Sequence, residues 1–277
     1  MRLAALLVAA VALTWTSASV SAQDGREALT LSPDSDWTLN YDDDSCALSR
    51  DFTNATDRVS LEIRQFEPSG GLRFVIVSEG REVSPFNPRY FLNSVAETRS
   101  AGTFLPIQIA ERGSGIVFYS ESGLGQQSDP VTSVGFTGIF EETVILEIGR
   151  MDEALPALER CTNELISHWG IDVEAHHSLT RRPHLNRISD WIEREVSGAW
   201  PSPISRTGDE SFFNVRLIVE THGRASECHI QAGMGSQELR DWTCARLTRL
   251  ARFDPALDAS GDPIRSYWTT VVSHQLN

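Results

Sequence analysis

The chain has 277 residues, 40% of them hydrophobic, and a formal net charge of −14. That is enough chain for two domains with their own cores, and a balance so acidic excludes nucleic acid or an anionic lipid surface as the natural partner, since either would be repelled. The acid is concentrated: residues 23–183 hold 13 Arg against 26 Asp plus Glu, whereas residues 184–277 hold 10 against 12.

Arg2, an apolar run from Leu3 to about Trp15, and Ser-Val-Ser-Ala ending at Ala22 follow the order of a secretory signal peptide. The run is shorter than the roughly 20 apolar residues of a membrane span, so residues 1–22 are expected to be removed and no stable span to remain. Retention of the run would make it an anchor instead. Gln23–Leu31 is polar and reads as loose chain.

From Trp37 to Gly149 the pattern is that of short strands. Trp37–Tyr41 and Cys46–Phe52 alternate, and Val59–Phe66 alternates cleanly before Pro68-Ser69-Gly70-Gly71 turns into Leu72–Val77. A period of two broken by turn residues predicts a hairpin with one buried face. Phe104–Ala110, Gly115–Ser120 and Thr143–Ile148 are further strands, and Glu121–Ser128 a polar loop. Met151–Trp169 switches to helical period, with Leu155, Leu158, Leu165, Ile166 and Trp169 on one stripe, Cys161 at its border and Gly170 as the stop. Residues 29–171 thus read as an acidic β-rich domain closed by one helix. Asp172–Asn186 has no apolar periodicity and reads as a linker.

Residues 187–277 read as α-β-β-α-β. Ile188–Val196 is a short helix, Phe213, Val215, Leu217 and Val219 give a strand one apolar face, and His222-Gly223 turns it back. Cys228 and Ile230 share a face of the returning strand. Ser236 caps a helix running to Arg252 with Leu239, Thr243, Leu247 and Leu250 inward, and Ile264–Leu276 is the last strand.

This last third resembles the carboxy-terminal domain of TonB. The resemblance rests on Trp200-Pro201, Val215-Arg216-Leu217-Ile218-Val219, Gly223-Arg224, Leu239 and Leu247, Arg252-Phe253-Asp254-Pro255-Ala256 and the Gly261-Asp262-Pro263 turn, and it covers about 90 residues. It implies a three-stranded antiparallel sheet with two helices on one face, and a periplasmic location. It also implies a last strand that pairs with an extended segment of an envelope or outer-membrane protein. The residues that would form that edge are Ile264, Arg265, Tyr267, Thr269 and Val271; Trp268 reads as core. A TonB transducer also has an uncleaved anchor and a long Pro-rich spacer, whereas residues 172–186 here contain only Pro183.

The four cysteines allow three connectivities, and an even number in an exported chain implies disulfides. Cys46 with Cys161 and Cys228 with Cys244 keep each bridge inside its own domain, the latter joining the inward face of a strand to the flank of a helix.

Sites of catalysis find little support. Asp42-Asp43-Asp44 lacks the spaced ligands and Gly of a calcium loop and reads as a solvated turn. His176, His177 and His184 read as linker residues, His229 as an outward side chain, and Gly233-Met234-Gly235-Ser236 as a turn without the Lys of a phosphate loop. No metal or other cofactor is called for. Three functions stand open: an exported, non-enzymatic module that binds a protein segment by strand addition; a membrane-anchored accessory of a TonB-type transport system; and an envelope hydrolase built on the first domain.

Overall fold

The computed structural model describes residues 28–68, 70–102, 104–120, 130–186 and 211–274. The expected signal peptide, the Glu121–Ser128 loop, the Ile188–Val196 helix and Trp200-Pro201 lie outside these residues. What is described is an α+β protein, rich in strands, with three helices.

Eleven strands form one sheet: β1 (Leu29–Pro33), β2 (Thr38–Tyr41), β3 (Cys46–Thr53), β4 (Arg58–Gln65), β5 (Leu72–Glu79), β6 (Arg89–Leu92), β7 (Arg99–Ser100), β8 (Phe104–Ile109), β9 (Gly113–Ser120), β10 (Val134–Thr137) and β11 (Val144–Leu146). Their order is β7-β6-β10-β11-β1-β3-β4-β5-β9-β8, with β2 beside β3. All pairs are antiparallel except β1 with β11. The central hairpin forms where alternation placed it: Val59, Leu61 and Ile63 of β4 are buried, while Arg58, Ser60, Glu62 and Arg64 are half-buried. The sheet curls round its own core. Tyr90 of β6 lies 5.6 Å from the rings of both Phe74 (β5) and Phe118 (β9), although five strands separate β6 from β5 in the ladder.

Of Gln23–Leu31, expected as loose chain, residues 23–27 lie outside the described residues, and from Leu29 the chain is strand β1, parallel to β11, with Leu31 fully buried. Its five residues end in a proline and are too few to show a period. The same brevity hid β6 and β10, each four residues long.

Helix α1 (Ala154–His168) closes the sheet through Leu158, Cys161, Leu165 and Ile166. Gly170, at φ 66°, ends it in the left-handed region that glycine occupies without strain. Cys161 is bonded to Cys46 at the start of β3, with Cα atoms 6.1 Å apart.

The segment expected as a polar linker carries structure instead: helix α2 (Val173–His177), capped by Asp172, and strand β12 (His184–Leu185). Beyond it come β13 (Ser211–Val219), β14 (Ala225–Met234), helix α3 (Gln237–Leu250), β15 (Phe253–Asp254), β16 (Ala256–Leu257), β17 (Pro263–Ile264) and β18 (Ser266–His274). β13 is the centre of a three-stranded antiparallel sheet in the order β14-β13-β18. β12 pairs with β15, and β16 with β17. Phe213, Val215, Leu217 and Val219 bury against Leu239 and Leu247 of α3, whose first turn is capped by Ser236. The Cys228–Cys244 bridge ties β14 to that helix. Gly223 is required at its turn: φ is 78°, and a Cβ there would sit 2.1 Å from the Phe253 carbonyl oxygen.

Candidate cleft between the two sheets

A strand in the middle of a sheet has two faces, and both faces of β13 are buried. Between the apolar residues stand Asn214, Arg216 and Ile218, and these turn toward the first sheet and its helix. Arg216 lies over the Trp169 ring, 4.1 Å from its centroid, and forms an ion pair with Asp44. Burial pulls its pKa down and Asp44 opposes that. From β14, the Gln231 side-chain amide donates to the carbonyls of Asp44 (3.0 Å) and Phe66 (3.1 Å). Arg265 reaches the carbonyls at the end of α1, donating to Trp169 (3.2 Å) and Gly170 (2.7 Å). Ile218 and Tyr267 join the core cluster of the first sheet.

Tyr267 is the centre of this joint. Its ring packs edge-on against Trp169 at 5.0 Å and stacks on His176 at 4.8 Å. His176 Nδ1 is 3.1 Å from the Ser266 hydroxyl, and burial, with Arg182 and His177 nearby, pushes the imidazole pKa down to about 4. The Tyr267 hydroxyl is pushed up, by burial first and then by Glu67. Glu67 is itself pushed up by burial, against the hydrogen bond from the Thr269 hydroxyl and the charge of Arg182.

Beside the joint the two sheets part to leave a cleft of about 850 Å³. One wall is Phe66, Glu67 and Gly71 with Tyr119 and Ser120 at the end of β9; another is Tyr90, Arg99, Ser100 and Gly102; the third is Asn214 with Thr269, Thr270 and Val271 of β18. Side chains of a strand alternate, so three consecutive residues border one cavity only if the backbone edge borders it. Among the described residues β18 pairs with β13 alone, and its outer edge faces this cleft. A second cleft of about 500 Å³ lies between β8 and β14, lined by Ile107, Ile109, Ile230 and Met234 with Arg73, whose pKa burial pushes down to about 10.

The five residues expected to form a receiving edge are not one surface. Ile264 sits in β17, paired with Ala256. Arg265 and Tyr267 are spent on the joint. Thr269, bonded to Glu67, and Val271 line the cleft. Of the two aromatics, Trp268 packs on the α3 side, 5.3 Å from Phe253, as expected of a core residue.

Three polar residues take part in the joint, two of which, Asp44 and His176, were expected in a solvated turn and a linker. Asp44 is an anchor for Arg216 and Gln231, not a free turn residue. His176 is 4% exposed and stacked. Glu67 lies just beyond β4, where neither period nor turn chemistry points to its contacts. His229 is exposed, as expected. Among the described residues no group of three His, Cys, Asp or Glu is placed to hold a metal, and no helix is long and apolar enough to cross a membrane. No family model matches the chain, and no curated protein matches it.

Proposed function

We propose that this is an exported, non-enzymatic envelope protein that binds an extended segment of another envelope protein by adding it to β18. The observation that carries the reading is the cleft along the outer edge of β18. A strand edge offers unpaired N–H and C=O groups in register, and an incoming segment gains its affinity from them. The TonB-like pattern of residues 187–277 supports the same strand as the receiving one, and two disulfides fit an oxidising compartment such as the periplasm.

The reading is tested by selecting short peptides from a display library on the immobilised protein, in parallel with Val271→Lys and Val271→Thr. A lysine on an edge discourages strand pairing. The parent and Val271→Thr are expected to enrich a common set of peptides, and Val271→Lys, with an unchanged melting profile, to lose them. Equal enrichment on all three, or none beyond that on reduced, unfolded protein, overturns the proposal.

A further inference from the structure

Within the cleft two side-chain atoms have no hydrogen-bond partner among the described residues. Arg99 of β7 lies 6.0 Å from the Tyr90 ring, and its Nη1 is buried without a hydrogen bond. No carboxylate among the described residues pairs with it, although residues 23–183 carry twice as many acids as arginines. Other arginines of the first sheet are satisfied: Arg58, Arg64 and Arg81 each hold two carboxylates, and Arg89 and Arg112 donate to Thr98 and Ser60. Asn214 is 4% exposed, lines the cleft, and its Oδ1 accepts no hydrogen bond from the described residues. A buried polar atom left unsatisfied destabilises the fold, and a ligand that satisfies it recovers that cost.

We propose that the segment taken up by the cleft carries one Asp or Glu whose carboxylate pairs with Arg99, while Asn214 Oδ1 accepts an N–H of the same segment. This rests on the reading of β18 as the receiving strand. Guanidinium and carboxylate match in shape as well as charge, through two parallel N–H···O bonds. The carboxylate is a side chain rather than a chain end. The cleft meets β18 at Thr269–Val271, the middle of Ser266–His274, so a segment ending opposite Arg99 would leave part of the edge unpaired. A single acid is called for because the surrounding charge is negative; further acids on the segment would be repelled. Glu67, across the cleft, is engaged by Thr269 and leaves Arg99 to the ligand.

The test uses peptides selected on the intact protein and shown to slow amide exchange in β18. Each acid is replaced by its amide isostere, the C-terminus is amidated separately, and binding is measured to the parent, Arg99→Gln and Arg99→Lys. One Asp or Glu is expected to matter by about tenfold, as a charge-assisted pair does. Arg99→Gln should erase that preference, Arg99→Lys keep part of it, and C-terminal amidation change nothing. Among the described residues Arg99 has no ion pair to lose, so the variants should melt with the parent. Peptides without a required acid, or an Arg99→Gln variant that weakens acid and isostere alike, overturn the proposal while β18 remains the receiving strand. Sensitivity to C-terminal amidation alone overturns the side-chain source. Failure of every peptide to protect β18 removes strand addition and this inference together.

Discussion

The two faces of the three-stranded sheet differ in how they are held. One carries Phe213, Val215, Leu217 and Val219 against α3, a dry apolar core of the kind that alternation announces. The other carries Asn214, Arg216, Gln231, Thr269 and Tyr267 against the first sheet, joined by an ion pair, ring contacts and hydrogen bonds to carbonyls. The apolar face makes the module fold. The polar face sets where it sits on its neighbour, because hydrogen bonds and stacked rings tolerate only one arrangement, whereas apolar surfaces slide.

The largest effects should come from the covalent ties inside each module. On the loop-entropy account, the Cys46–Cys161 bridge closes a separation of 115 residues and Cys228–Cys244 one of 16, worth nearly 5 and about 3 kcal/mol respectively. Cys46→Ser with Cys161→Ser should therefore lower the denaturation midpoint more than the Cys228→Ser, Cys244→Ser pair does. The reverse ranking in chemical denaturation would mean that the short bridge is held by more than loop closure.

On the apolar face, Leu217→Ala should cost about 3–4 kcal/mol, as a fully buried leucine does. It should leave the contacts of Tyr267 and Arg216 in place, which near-ultraviolet circular dichroism of the Trp169–Tyr267 pair can follow.

On the polar face the largest single term is His176. Its folded pKa of about 4 lies below the ordinary 6.5. Its contribution is therefore complete above pH 6.5 and is lost as pH falls from there toward 4, because the unfolded chain takes the proton first. The loss amounts to as much as about 3 kcal/mol. Glu67, pushed up, works in the opposite sense: its native form gains as pH falls. It is common to the parent and to His176→Phe, so the difference between their stability–pH curves isolates the histidine. Parallel curves would refute a neutral, buried His176.

Arg216→Ala should cost less, about 2 kcal/mol. That is below the 3–5 of a wholly buried pair because the Asp44 side chain keeps 25% of its exposure. Its signature is separation of the modules: two thermal transitions where the parent shows one.

How much of this was legible in the sequence follows the same divide. The β4–β5 hairpin, α1, the β13–β14 turn and both disulfides could be read because period, turn chemistry and domain-local pairing are local signals. The joint could not. Arg216 and Asn214 look like the solvated side of an amphipathic strand, and Asp44 like the end of an acidic turn 172 residues away from its partner. His176 falls in a polar stretch whose helix is only five residues long. Polar residues say that a face is not an apolar core, but not whether water or protein meets it. Arg99 gives no signal in the sequence; its buried Nη1, without a hydrogen-bond partner among the described residues, is what sets it apart.

Amide hydrogen exchange across Ser266–His274, with and without a selected peptide, tests most directly whether β18 is the receiving strand. Slowing of those β18 amides that β13 does not already hold, with β8 and β14 unchanged, is the result predicted. Slowing confined to Phe104–Ile109 or Ala225–Met234, the strands that flank the smaller cleft, with β18 exchanging as before, would contradict it.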